Sequence, residues 1–269
     1  MQPELFHIGP IPIRSYGLML AISFLLGIWY IHYVSKRDSK PFERFLNVAY
    51  IMVIGGLIGA RLFYVVLHLD EFAGHWTDIF NPFHSGTFGI AGMNLYGGVL
   101  LAIFGTFIYC RIVKMPILDV FDYFAPTMGI GLAFTRVGCF LNGCCFGTPC
   151  NLPWGVTFPK GSIPYAIFGS QPLHPSQLYS SLYGVLLFIL LHYVLKHRRF
   201  LGQVVAILFM VEAFFRFVIE YVRYYEKAMF FTVGHIHPTY NQVVSVSLFI
   251  VGLAIYIVQS RRRNIHRTA

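Results

Sequence analysis

The chain has 269 residues, 57% hydrophobic and only 12% charged, with a formal net charge of +9. Soluble domains carry about 25% charged residues, so this composition excludes a disordered or nucleic-acid-binding protein despite the basic balance. An excess of Lys and Arg in so apolar a chain is read through membrane topology instead.

About 20 apolar residues are needed to cross ~30 Å of hydrocarbon as a helix. Seven such runs are predicted in chain order, near 16–34, 45–67, 94–113, 117–141, 176–195, 202–222 and 241–259. The expected fold class is therefore all-α: a polytopic helical membrane protein of about seven transmembrane helices, forming one domain over residues 1–269. Residues 1–15 hold Arg14 as their only Lys or Arg and no A-x-A-like site, so no cleavable signal peptide is expected. The connections alternate in charge. Lys36, Arg37, Lys40 and Arg44 follow the first run, Arg111 and Lys114 the third, Lys196, Arg198 and Arg199 the fifth, and Arg261, Arg262, Arg263 and Arg267 the last. The opposite loops, 68–93, 142–175 and 223–240, hold only Lys160, Arg223 and Lys227. Lys/Arg-rich loops face the cytoplasm, which predicts an N-terminus outside and a cytoplasmic C-terminus.

Within the runs, Arg61, Arg136 and Arg216 stand out, because an arginine in lipid costs at least ~2.5 kcal/mol. Each falls in the later part of a run going from inside to outside, so three cations are expected in the outer half of the bilayer. Snorkelling to outer-leaflet phosphates is the competing explanation. Polar residues gather at the same ends: Tyr16, Asn94, Tyr96, His174 and Gln177. Glu212, Arg216 and Glu220 recur every fourth residue and share a helical face, either as a self-neutralising ladder or facing substrate. Gly55 and Gly59 have the GxxxG spacing of close helix packing. The Pro-bearing segment after the fourth run cannot be a helix in lipid and is expected to form an extracytoplasmic cap over about 142–175.

Five cysteines without a CxxC, and without Cys and His at zinc-finger spacing, argue against a structural zinc. Cys139, Cys144, Cys145 and Cys150 would face an oxidising compartment, where Cys139 could pair with Cys144 or Cys150. For a metal site, His174 is the only obvious nearby imidazole. Convergent arginines amid tyrosines suit an anionic lipid headgroup, since a guanidinium holds phosphate through two parallel hydrogen bonds and stabilises a departing phosphate. An enzyme and a transporter acting on phospholipid both fit that chemistry.

The blocks RSYGLM, GGLIGARLFY, GMNLYGGV, DYFAPTMGIGLAFTRVGCFLNG, LHPSQLY and FRFVIEYVR, in this order, resemble the prolipoprotein diacylglyceryl transferase family of bacterial inner-membrane enzymes. The resemblance implies transfer of diacylglyceryl from phosphatidylglycerol to the lipobox cysteine of a prolipoprotein signal peptide, giving a thioether and glycerol phosphate. It implies no cofactor and no metal, because the nucleophile belongs to the substrate. It also implies a multi-pass protein of the bacterial inner membrane, with an active site on the extracytoplasmic half, acting on phosphatidylglycerol or another anionic phospholipid. Of the family signature this chain supplies Arg136, Gly138, Phe140, Asn142, Gly143 and Gly147; Cys139 and Cys144 stand where the signature has Asn and Glu, and Tyr96 where relatives have His. The family's tyrosine on the sixth span is Glu212 here. The catalytic set expected on these grounds is Arg136, Arg216, Tyr96, Glu212 and His174, with Tyr16, Arg61, Asn142, Gly143, Gly147 and Glu220 binding substrate. Two other classes are carried alongside: a membrane thiol oxidoreductase built on the Cys139–Cys150 cluster, and a phospholipid transporter.

Overall fold

The structure, a computed structural model, describes residues 3–9, 11–72, 83–84, 87–88, 94–225 and 238–268. Lys227 and the Gly92–Met93 start of the GMNLYGGV block lie outside the described residues. In chain order the elements are β1 (Glu4–Ile8), β2 (Ile11–Arg14), α1 (Ser15–Arg37), α2 (Phe42–Leu67), α3 (Leu69–Phe72), β3 (Phe83–His84), β4 (Thr87–Phe88), α4 (Leu95–Ile112), α5 (Ile117–Asn142), α6 (Ile163–Phe168), α7 (Ser176–Lys196), α8 (Gln203–Ile219) and α9 (Tyr240–Thr268).

The helices follow the predicted apolar runs, and the sequence explains where they stop. Ser39 and Lys114 adopt left-handed conformations, φ 51° and 54°, two residues before Pro41 and Pro116, which reset the chain for the next helix. Among the described residues five helical stretches are long and apolar enough to cross a membrane: α1, α2, α5, α7 and Tyr240–Arg262 of α9. Between 11% and 33% of each such stretch is buried. Many of the other positions are exposed and apolar, Leu25, Ile54, Leu57, Leu182 and Ile250 among them, as lipid-facing helices require. The third and sixth predicted runs are shorter as helices. α4 has 18 residues between its Asn94 cap and Val113. α8 has 17, includes Glu212 and Arg216, and starts after a left-handed Gly202.

Two compact units divide the chain, Met1–Tyr30 with Phe121–Ala269, and Ile31–Val120. In the second, α2 and α4 approach through glycines, as the GxxxG spacing predicts. A Cβ on Gly59 would meet the Gly97 carbonyl oxygen and come within 2.6 Å of Leu101 Cβ; one on Gly98 would lie 2.7 Å from the Gly56 carbonyl. Replacing Gly59 by Val is expected to force these helices apart at a cost of about 1–3 kcal/mol, read as a lower unfolding midpoint in detergent. Asn94 N donates to the Ala60 carbonyl at 2.9 Å, and its side chain caps α4 by accepting from Tyr96 N at 2.9 Å. Lys40 closes the unit on Asp119 at 3.1 Å.

In the first unit the same economy joins α5 to α7, where a Cβ on Gly129 would sit 2.6 Å from Phe188 N and one on Gly184 2.6 Å from Ala133 N. Asp122, fully buried on α5, holds the start of α8. Its carboxylate accepts from the backbone N–H groups of Gly202, Val204 and Val205 at 2.8–3.0 Å and from Arg198 Nη1 at 3.2 Å. These are the orphan donors of a helix N-terminus, so one buried carboxylate is compensated four times over. Residues 143–175, where the cap was expected, fold around Phe146, Phe158 and Leu173, and Leu173 bridges to both Pro149 and Val156.

Candidate functional site

The site begins at the C-terminus of α5. Gly143 takes φ +75°, its N–H bonds to the Phe140 carbonyl at 3.2 Å, and Cys144 N bonds to the Cys139 carbonyl at 3.1 Å. These two bonds across a left-handed glycine are a Schellman cap. The cap brings the residue five positions back beside the one that follows the glycine, here Cys139 beside Cys144. Cys145 is also left-handed at φ 61°, an unusual choice for a residue with a side chain. The sulfurs of Cys139, Cys144 and Cys145 all lie within 4.8 Å of one another. All five cysteines are free thiols, so no Cys139 bridge to Cys144 or Cys150 is formed. Cys110 is buried on α4, and Cys150 stands apart from the trio.

Neighbouring elements hold this turn by its backbone. Gln177 Nε2 donates to the Cys144 carbonyl and Ser176 Oγ to the Cys145 carbonyl, both at 2.8 Å. Gly147 N bonds to the His174 carbonyl at 3.0 Å and Thr148 N to the Val222 carbonyl at 2.9 Å. The signature glycines have steric reasons. A Cβ on Gly138 would lie 3.1 Å from Tyr16 Cα, so α1 rests directly on α5 there. A Cβ on Gly147 would lie 2.5 Å from His174 Cβ and 2.6 Å from two carbonyl oxygens. Gly147→Ala is therefore expected to break the strap joining the turn to α7 and to the segment after α8. Faster protease cleavage within residues 143–175, together with lost activity, would register it.

Three guanidinium groups surround the turn. Arg136, half-buried on α5 one turn before Cys139, has no hydrogen-bond or ion-pair partner among the described residues. Arg216 on α8 is compensated: its Nη2 lies 3.2 Å from Glu220 Oε1 and donates to the Tyr225 hydroxyl at 3.1 Å. Glu220 is the hub. Its Oε1 accepts from Tyr225 Oη at 2.7 Å, and its Oε2 accepts from Thr239 Oγ1 at 2.9 Å and Asn241 Nδ2 at 3.5 Å. Burial first, then this bond to Glu220, pushes the Tyr225 phenol up to about 12, so it remains a donor at neutral pH. Arg223 lies over the Tyr225 ring at 5.0 Å, with buried Nε and Nη1 atoms lacking partners among the described residues. The charges of Arg136 and Arg223 both act on Arg216 and on Cys145, and that of Arg136 reaches Tyr16 and Glu212, so these residues share one electrostatic site. Hydrogen bonds from the Cys139 and Cys144 thiols, with the Arg223 and Arg136 charges, hold the Cys145 thiol below the ordinary thiol range.

The remaining expected residues fall as follows. Glu212 is half-buried, and its buried Oε2 has no hydrogen-bond partner among the described residues. His174 Nδ1 is 3.3 Å from the Tyr179 hydroxyl, and its backbone anchors the strap. Asn142 is exposed at the helix end, and Tyr16 is half-exposed beside the thiols. Arg61 and Tyr96 belong to the second unit. Arg61 is buried over the rings of Phe72 at 5.2 Å and Tyr64 at 5.9 Å, while Tyr96 is 61% exposed. The expected set lacked Arg223, Tyr225, Thr239 and Asn241. Arg223 was visible as the last residue of FRFVIEYVR, one helical turn beyond Glu220; Thr239 and Asn241 approach only through the packing of α9.

The comparisons with known proteins agree on one family. A family model described as prolipoprotein diacylglyceryl transferase matches residues 3–258. The chain is similar to the phosphatidylglycerol–prolipoprotein diacylglyceryl transferases of three bacteria. It is 30% identical to that of Campylobacter hominis over 95% of this chain and 90% of the relative. Identity to the Vibrio cholerae protein is 31% over 99% and 94%, and to the Nitratidesulfovibrio vulgaris protein 33% over 94% and 92%. With the blocks in matching order, a site built at the family signature and alignment over nearly its whole length, this chain belongs to the prolipoprotein diacylglyceryl transferase family.

Proposed function

We propose that the chain transfers the diacylglyceryl group of phosphatidylglycerol to the thiol of a prolipoprotein's lipobox cysteine, as an enzyme of lipoprotein maturation. The acceptor sulfur forms a bond to the glyceryl carbon, the carbon–oxygen bond to phosphate breaks, glycerol phosphate leaves, and the thiol proton passes to a base. The observation that carries this reading is the unpartnered Arg136 guanidinium beside a compensated Arg216 and an under-bonded Arg223. Preplaced cations in a water-poor site stabilise the charge that develops on a leaving phosphate, with no reorganisation at the moment of reaction. Arg136 and Arg223 hold the phosphate, Arg216 completes the field, and Tyr16 and Asn142 orient the headgroup. Among the base candidates, His174 Nδ1 is engaged by the Tyr179 hydroxyl at 3.3 Å. We assign the base to Glu212, a carboxylate beside the Tyr183 phenol, whose buried Oε2 has no hydrogen-bond partner among the described residues.

The same proposal takes α4 and α8 as spans beside the five longer helices, giving seven, with the N-terminus outside and the Arg-rich end of α9 in the cytoplasm. The segregation of Lys and Arg into alternate connections supports it. The site then lies on the outer half of a bacterial inner membrane, within reach of phosphatidylglycerol and of a signal peptide.

Purified protein in phosphatidylglycerol vesicles with a lipobox peptide tests the function. Thioether-linked diacylglyceryl peptide and an equal amount of glycerol phosphate are expected by mass spectrometry. No product, where a known transferase gives it, overturns the assignment.

A further inference from the structure

We propose that Cys139, Cys144 and Cys145 form a three-thiolate site for a soft d10 metal ion, with Cu(I) as its matching occupant. The proposal stands on sulfur geometry and does not rest on the transfer reaction. Three sulfurs from one seven-residue stretch lie within 4.8 Å of one another, and no other His, Cys, Asp or Glu of the described residues joins the group. Soft thiolates select Cu(I) and Zn(II), and zinc completes a tetrahedron with a fourth ligand. Three sulfur donors alone match Cu(I), which is stable in trigonal coordination.

The backbone places the sulfurs before any ion arrives. The Schellman cap sets Cys139 beside Cys144. The left-handed Cys145, φ 61°, carries a conformational cost of about 1–3 kcal/mol that surrounding contacts must sustain, and such strain collects at functional positions. Those contacts are specific: Gln177 and Ser176 hold the carbonyls of Cys144 and Cys145 at 2.8 Å. Outer hydrogen bonds of this kind fix ligand orientation in metal sites. Cys139 is 8% exposed, while Cys144 and Cys145 are half-buried, leaving an entry path to a mostly covered site. Charge also balances. Three thiolates and one Cu(I) leave a net charge of −2, and two guanidinium groups, Arg136 and Arg223, act on this cluster. Binding converts three thiols to thiolates and releases their protons to solvent.

Competition with a chromogenic Cu(I) chelator, on the full-length reduced protein in detergent under nitrogen, tests the site. One equivalent of Cu(I) is expected to transfer to the protein, with the luminescence and near-ultraviolet absorption of a Cu(I)–thiolate centre. Cys139→Ser, Cys144→Ser and Cys145→Ser should each lose the competition while keeping the helical circular dichroism of the parent. The double variant Cys110→Ser/Cys150→Ser should retain the full equivalent. Uptake that is absent in the parent, unchanged in the serine variants of the trio, or lost in the double variant overturns the proposal.

Discussion

Arg136→Ala is expected to lower diacylglyceryl transfer by about 10²–10³-fold, the range found when one preplaced donor is removed from a developing oxyanion. Among the described residues this guanidinium has no hydrogen-bond or ion-pair partner, so its donors are available to substrate. The loss should fall mainly on kcat. Arg136 meets a phosphate whose charge grows as the carbon–oxygen bond breaks, so the interaction is stronger in the transition state than in the bound donor. Arg136→Lys should recover only part of the rate, because an ammonium cannot reproduce the planar fork. Initial rates of peptide lipidation against phosphatidylglycerol concentration separate the two parameters. Undiminished kcat in Arg136→Ala removes the phosphate role.

The sequence announced Arg136 through cost: a cation in an apolar run needs a reason. It announced the helices through length and apolar run, and their ends through Pro and Gly. Some features required three dimensions. Asp122 reads as an ordinary acid near the start of α5, yet it gathers the backbone donors of α8, eighty residues away in sequence. The Glu212–Arg216–Glu220 ladder was visible as i, i+4 spacing, but only the Glu220 rung forms with Arg216, because Glu220 is already surrounded by Tyr225, Thr239 and Asn241. The thiols show a different kind of gap. Neither a CxxC nor a nearby His marks them, but a cap rule does: CFLNGC places Gly143 at the left-handed position and brings the cysteines on either side of that cap together. The spacing that matters there belongs to a helix terminus, which zinc-finger patterns do not describe.

Glu220→Ala is expected to destabilise the first unit by about 3–5 kcal/mol, the cost of removing one partner of a buried ion pair. The Glu220 side chain is 0% exposed, and its two oxygens tie Arg216 near the end of α8 to Tyr225 in the loop after it and to Thr239 before α9. Without it, the Arg216 charge, Tyr225 Oη and Thr239 Oγ1 all lose their acceptor. Glu220→Gln keeps an acceptor oxygen for Tyr225 or Thr239 but not the charge. Its melting midpoint in detergent should fall less than that of Glu220→Ala, while its kcat falls with Arg216 no longer held in place. The network should also respond to base. Tyr225 has its phenol raised to about 12, so the stability from its proton is fully present below the ordinary tyrosine range near 10 and is lost as pH rises through 12. Tyr225→Phe should remove that alkaline limb and lower stability at neutral pH by about 1–2 kcal/mol, since the hydroxyl gives one bond to a carboxylate and accepts another from a guanidinium. Thermal unfolding of the parent, Glu220→Ala, Glu220→Gln and Tyr225→Phe between pH 7 and 11 decides the matter. If Glu220→Ala melts with the parent, Glu220 is not the hub and Arg216 is positioned by something else.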